Sequence, residues 1–279
     1  MSIIKKIWLE AIEDNMYRIP SQRVFSLNRV IDDLIITVPA EGWGDNFGLT
    51  LTELGYKHQK ASQWEKFYMP LSEEWDLFGE RVSSLSKKKG PFLANLAIPL
   101  RGRKTKEGSV AGTKGHCLLE AVVGIGRNSV RAPVRCRVWI FSRTSEIFTK
   151  FGADLCLINQ LLLPKLLEKP REIFPNLDFK GVTFYLCSSY LIAFRLMGLV
   201  IFDINPMEIL RRGAEACGKD KGERTYIRRV LGNILIAVDN PEQPTYQATR
   251  RTMKFYRESW IPHRDEVEKL LKEVDTYAI

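Results

Sequence analysis

Apolar residues near the two ends of the chain recur at helical intervals. Ile3, Ile4, Ile7, Trp8, Ala11 and Ile12 fall three and four residues apart, which predicts an amphipathic helix with one face on a core. Val267, Leu270, Leu271 and Val274 repeat that spacing among Asp, Glu and Lys, so a second such helix is expected after Pro262. Between them the period changes to two. Val134, Cys136, Val138 and Ile140 alternate with Arg135, Arg137, Trp139 and Phe141, the pattern of a half-buried strand. The runs Leu118 to Val123, Val182 to Ala193 and Ile234 to Val238 are apolar, often β-branched, and bounded by Gly, Pro or Asn, and they read as further strands. The Leu-rich run from Asp154 to Glu168 is too long for an ordinary strand and reads as a buried helix bent at Pro164, with Asp154 suited to its N-cap.

These elements predict an α+β fold, a mixed β-sheet with packed helices, as one domain over residues 1–279. Leu100 to Lys114 and Gly213 to Glu223 read as long loops, because apolar segments resume at once on both sides. No internal repeat is visible.

Composition sharpens this picture. At 45% hydrophobic and 27% charged the chain is of the globular kind and can bury a sizeable core. Its longest apolar run, Phe184 to Val200, is broken by Ser188, Ser189 and Arg195, so no membrane span is expected. The opening segment carries Glu10 and Glu13 and lacks a small-residue cleavage site, and reads as a helix of the mature protein. Five cysteines without a CxxC pair and three scattered histidines, His58, His116 and His263, predict neither a disulfide framework nor a metal site, and a reducing, cytoplasmic location. The net charge of +9 suits a phosphate-bearing partner, nucleotide or nucleic acid, and equally suits a merely well-solvated surface. Cations gather between Lys87 and Lys114, and again at Arg228, Arg229, Arg250, Arg251, Lys254 and Arg257.

The segment Gly115 to Asp154 carries the candidate chemistry. A cysteine, Cys117, opens an apolar strand; a basic connection, a second strand and the turn Ser142-Arg143-Thr144-Ser145-Glu146 follow; Asp154 lies at the start of the predicted buried helix. In this order the segment resembles the thymidylate synthase and pyrimidine nucleotide hydroxymethylase superfamily. The resemblance implies that Cys117 is the nucleophile, Arg143 a phosphate-binding arginine and Glu146 the acidic member of the turn. Asp154, 11 positions after Arg143, would read the pyrimidine edge. Phe78-Gly79-Glu80-Arg81 is similar to the family's Tyr-Gly-x-Arg segment, which implies a substrate-binding role for Arg81. Ser189 and Tyr190 fall where the family holds the nucleotide sugar.

The sequence departs from the family in placing His116 before the cysteine, in lacking paired arginines ahead of it, and in an extra stretch near Gly124 to Pro133 that lengthens the connection. No residue is carried over to the folate side, Glu53 included.

The resemblance implies a thymidylate synthase-like fold, a homodimer, and 5,10-methylenetetrahydrofolate as one-carbon donor to C5 of a pyrimidine deoxynucleotide. Either base and either a methyl or a hydroxymethyl product fits, although an Asp at the base-reading position favours cytosine, whose C4 amino group is a donor. A cysteine of pKa about 8.5 is only a few per cent thiolate at neutral pH, so Lys114, His116 or Arg143 would supply the cationic help it needs. Each assignment has a plainer counterpart: Cys117 as a small buried hydrophobe, Arg143 in a surface salt bridge with Glu146, and Trp64, Trp139, Phe141 and Trp260 as core rather than stacking surfaces. Cys136, Cys156, Cys187 and Cys217 read as structural. The alternative function is a non-catalytic nucleic-acid-binding protein, or an inactive relative of the same fold.

Overall fold

The computed structural model describes residues 1–17, 28–31, 34–56, 59–88, 90–100, 118–143, 145–187, 189–217, 221–240, 242 and 255–276. The chain opens with α1 (Ile3–Tyr17), then β1 (Asn28–Ile31) and β2 (Leu34–Val38). Helices α2 (Gln59–Tyr68) and α3 (Ser72–Leu85) lead to β3 (Phe92–Pro99), β4 (Leu118–Gly126), β5 (Arg135–Ser142) and the short β6 (Ser145–Glu146). Next come α4 (Thr149–Leu157), one π turn (Ile158–Leu162), α5 (Leu163–Ile173), β7 (Asp178–Leu186), β8 (Ser189–Ile192) and a 3-10 segment (Ala193–Phe202). The described chain closes with α6 (Pro206–Cys217), α7 (Lys221–Asp239), a helical turn at 255–260 and α8 (Arg264–Thr276).

The main sheet has five strands in the order β2-β7-β5-β4-β3, antiparallel except for the parallel β5–β7 pair. A second sheet runs β1-β8-β6. A mixed sheet with packed helices is therefore what the alternating and helical periods anticipated. In β5 the inner residues Cys136, Val138 and Ile140 are fully buried, while Arg135 and Arg137 face out. Burying each such aliphatic side chain contributes roughly 1.5–3 kcal/mol. α1 and α8 also fall where their spacing put them, with Val267, Leu270 and Val274 buried.

Several expectations are corrected. The run Val182 to Ala193 is two strands in two sheets, since the chain leaves the main sheet after Leu186 and re-enters the smaller one at Ser189. Burial on both sides of the break hides it from a hydropathy reading. Ile234 to Val238 lies inside α7, whose buried residues Ile227, Val230, Leu231, Ile234, Ala237 and Val238 follow helical spacing that a five-residue window cannot reveal.

Gly213 is part of α6, packed on α1: a Cβ there would stand 2.8 Å from Met16 Cε. Gly124 and Gly126 belong to β4, so the connection to β5 is shorter than Gly124 to Pro133. The buried helix is interrupted by the π turn, and Pro164 is the second residue of α5, directly after it. Asp154 lies within α4 and is not an N-cap. The expected loop at Leu100 to Lys114 lies almost wholly outside the described residues. Among those described, no helix is long and apolar enough to cross a membrane.

Candidate active site

Of the residues singled out in sequence, Arg143, Glu146, Ser189 and Tyr190 lie where the chain leaves the C-terminal end of β5. There Ser142 lies opposite Leu118 in β4 and Leu186 in β7, and its carbonyl accepts the Cys187 amide at 2.9 Å. The strand that follows Cys117 thus begins across from the residue before Arg143. Cys117 itself, with Lys114 and His116, lies outside the described residues. Arg143 is exposed and has no ion-pair partner among the described residues, so the expected salt bridge to Glu146 is not formed.

Glu146 is instead fully buried and paired with Arg195 of the 3-10 segment, Nη1 to Oε2 at 2.7 Å. Its Oε1 accepts the Phe148 amide at 3.1 Å and Oε2 accepts the Lys150 amide at 3.2 Å. A carboxylate on the first amides of a helix meets unpaired donors and the positive end of the macrodipole. Glu146, not Asp154, therefore caps α4.

β6 pairs in parallel with β8, setting Ser145 opposite Ser189 and Glu146 opposite Tyr190. Ser189 is buried and its hydroxyl donates to Asn15 Oδ1 of α1 at 3.2 Å. α1 also anchors the turn itself: Trp8 Nε1 donates to the Ile147 carbonyl at 2.7 Å, and its ring packs on Phe148 and Phe202. Gly152 leaves room for that indole, since a Cβ there would lie 2.5 Å from it. Asp154 is buried in α4 and accepts Trp64 Nε1 of α2 at 2.9 Å. Arg81 is exposed on α3, which packs on β3 and α5, and no hydrogen bond or ion pair joins it to this group among the described residues.

Glu53 comes into the same neighbourhood. Its carboxylate accepts Lys5 Nζ at 2.8 Å, the Thr50 amide at 2.7 Å and the Thr50 hydroxyl at 2.8 Å. Burial works to raise its pKa, but the bonds from Lys5 and Thr50 outweigh burial and hold it below its ordinary value. Cys156 lies between these carboxylates electrostatically: burial first, then the charges of Glu53 and Asp154, push its thiol up to about 12. Burial likewise raises Cys136 to about 12, so both are inert thiols. Cys187, read as structural from sequence, is exposed beside Ser142.

The lowered pKa of Glu53 has a definite sign. A carboxylate held down in the folded state stabilises above its unfolded pKa and loses that contribution as pH falls through the folded value. Glu53→Gln should therefore lower the urea midpoint at neutral pH, and the gap to wild type should close as pH drops below the ordinary 4.5. A gap that persists in acid would show that packing, not charge, is what the substitution removes.

The pairs Trp64–Asp154, Arg195–Glu146, Asn15–Ser189 and Lys5–Glu53 carry no local signal in the sequence and emerge only from the fold. Compared with family models and with curated proteins, the chain matches none of them.

Proposed function

We propose that the protein transfers a one-carbon unit, hydroxymethyl or methyl, to C5 of a pyrimidine deoxynucleotide monophosphate, with Cys117 as nucleophile. The observation that supports this reading is the convergence at one end of the sheet. The turn after β5 and the β6–β8 pairing bring Arg143, Glu146 and Ser189 toward the start of the strand that follows Cys117, and Asp154 lies within α4, the helix that leaves this turn.

In the proposed reaction the Cys117 thiolate adds to C6 of the ring, which makes C5 a carbon nucleophile. C5 attacks an electrophilic methylene group, the C5 proton leaves, and loss of the tetrahydrofolate carrier gives an exocyclic methylene on C5. This takes up water to give a hydroxymethyl group, or a hydride from the tetrahydrofolate, itself oxidised to dihydrofolate, to give a methyl group, and expulsion of the thiolate restores the ring double bond. That methylene comes from 5,10-methylenetetrahydrofolate, a second substrate to which no residue here is assigned. Arg143, exposed and without an ion-pair partner among the described residues, is suited to the substrate phosphate. Asp154, as an acceptor, favours the C4 amino group of cytosine over the carbonyl of uracil. Glu146 acts through α4, as the residue that holds the turn and helix together.

A homodimer forms part of the proposal. Supporting it is the outer face of the main sheet, where Ile35 is 57% exposed and half-buried Phe141 and Tyr185 stack with ring centroids 5.1 Å apart. The rival reading, nucleic-acid binding through the C-terminal cations, has less support. Arg228 is paired with Asp275 at 2.7 Å and Arg257 donates to the Val238 carbonyl at 2.9 Å, while Arg250, Arg251 and Lys254 lie outside the described residues.

Calorimetric titration with dCMP and dUMP tests the proposal. Wild type should bind at least one of them, and Arg143→Ala should weaken that binding by about 1.5–3 kcal/mol, the scale of a hydrogen bond to a charged group. Failure of wild type to bind either nucleotide would remove the enzyme reading. Unchanged affinity in the variant would take Arg143 off the phosphate.

A further inference from the structure

At the other end of β5 the outer face of the sheet forms an open concavity of about 760 Å³. Arg127, Arg135, Arg137 and Lys180 line it together with Trp139 and Asn95, and no carboxylate is among its lining residues. The neighbouring acid is Asp178, which pairs with Lys180 at 2.6 Å and with Arg135 at 3.7 Å. Arg135 and Lys180 therefore share one carboxylate. Arg137 is exposed and has no ion pair among the described residues.

The cations are positioned by the backbone around them. Arg127 donates to the carbonyls of Gly90 and Lys88, tying the turn before β3 to the end of β4, and Arg135 donates to Asn128 Oδ1 at 3.1 Å. The floor is shaped by glycine. The Trp139 indole lies over Gly124, where a Cβ would run into the ring and would stand 3.0 Å from Asn95 Oδ1.

Arg137, with no ion pair among the described residues, beside Arg135 and Lys180, which share one carboxylate, favours a ligand with several negative charges close together, and guanidinium groups suit phosphate oxygens in particular. An indole beside them offers a π-face on which a base can stack. The volume suits one nucleotide-sized ligand. We propose that this concavity binds a nucleoside polyphosphate. Arg137 and Arg143 are six residues apart on extended chain, roughly 20 Å, so the site is separate from the candidate active site and does not depend on the reading of Cys117.

Fluorescence anisotropy with a labelled ATP, competed by unlabelled ATP, ADP, AMP and a short oligothymidylate, tests the assignment. Wild type should bind, with competition falling in the order tri-, di- and monophosphate, and affinity should drop as salt rises. Arg137→Glu, on an exposed side chain, should weaken binding by about tenfold or more. Lys180→Gln should weaken it less, and Arg143→Ala should leave it unchanged; melting curves check that each variant is folded.

Absence of ATP binding, or binding indifferent to both Arg137→Glu and Lys180→Gln, would overturn the proposal. Loss of binding in Arg143→Ala would assign the ligand to the other site. Competition by the oligonucleotide without competition by ATP would make the surface a strand-binding one. A change from dimer to monomer in Arg137→Glu with unaltered ATP affinity would make it a subunit contact.

Discussion

Glu146→Ala is expected to cost about 3–5 kcal/mol of folding stability, the range for removing one partner of a buried ion pair. Glu146 has no exposed side-chain surface and Arg195 is only 16% exposed, so the guanidinium left behind would lose its carboxylate without gaining full access to water. The same change uncaps α4 at the amides of Phe148 and Lys150. Glu146→Gln keeps one carbonyl acceptor and should lose less. The double variant Glu146→Ala with Arg195→Met should recover part of the loss, because neither charge then remains buried. Urea unfolding monitored by circular dichroism measures all three. A loss below about 1 kcal/mol in Glu146→Ala would place the pair among ordinary surface bridges.

This expected cost also bears on how the site is built. The Glu146 carboxylate accepts hydrogen bonds from Arg195 and from the two amides, all within the protein. Its function in the proposed enzyme is therefore to fix the turn that carries Arg143 and the helix that carries Asp154. A stability loss accompanied by weaker nucleotide binding in Glu146→Gln would join those two consequences.

Much of this was legible from periodicity, and the reasons it failed elsewhere are physical. β5 and α8 present long, one-sided patterns, so both the element and its buried face follow from spacing. The β7–β8 break is hidden because apolar residues resume within a few positions of Leu186, and α7 is misread where its apolar stripe is densest. The order of chemistry-bearing residues from Cys117 to Asp154 is local and could be read directly. The supports of those residues could not: Trp64 is 90 positions from Asp154, Arg195 is 49 from Glu146, and Asn15 is 174 from Ser189. Expecting Asp154 to be an N-cap was reasonable from residue type, but the helix begins one turn earlier because Glu146 already satisfies its first amides.

The proposed chemistry is most exposed at Cys117. Cys117→Ser should lower turnover by about four orders of magnitude or more, since a serine hydroxyl has no thiolate-like form at neutral pH and nothing else in the proposal attacks C6. Nucleotide monophosphate affinity should stay within a few-fold of wild type, because the contacts proposed for Arg143 and Asp154 remain. A 5-fluoropyrimidine deoxynucleotide supplied with methylenetetrahydrofolate should trap a covalent adduct on wild type, visible as a mass increase, because fluorine at C5 does not leave as the proton does. The Cys117→Ser variant should form none. Cys187 supplies the necessary control: its thiol is exposed and its amide is bonded to Ser142, one residue from Arg143, so it is an accessible thiol at the end of the sheet where Arg143 lies. Cys187→Ser should keep both turnover and adduct. If the adduct instead disappears with Cys187→Ser and survives Cys117→Ser, the nucleophile sits at the end of β7, and the resemblance that points to Cys117 fails even though the enzyme reading stands.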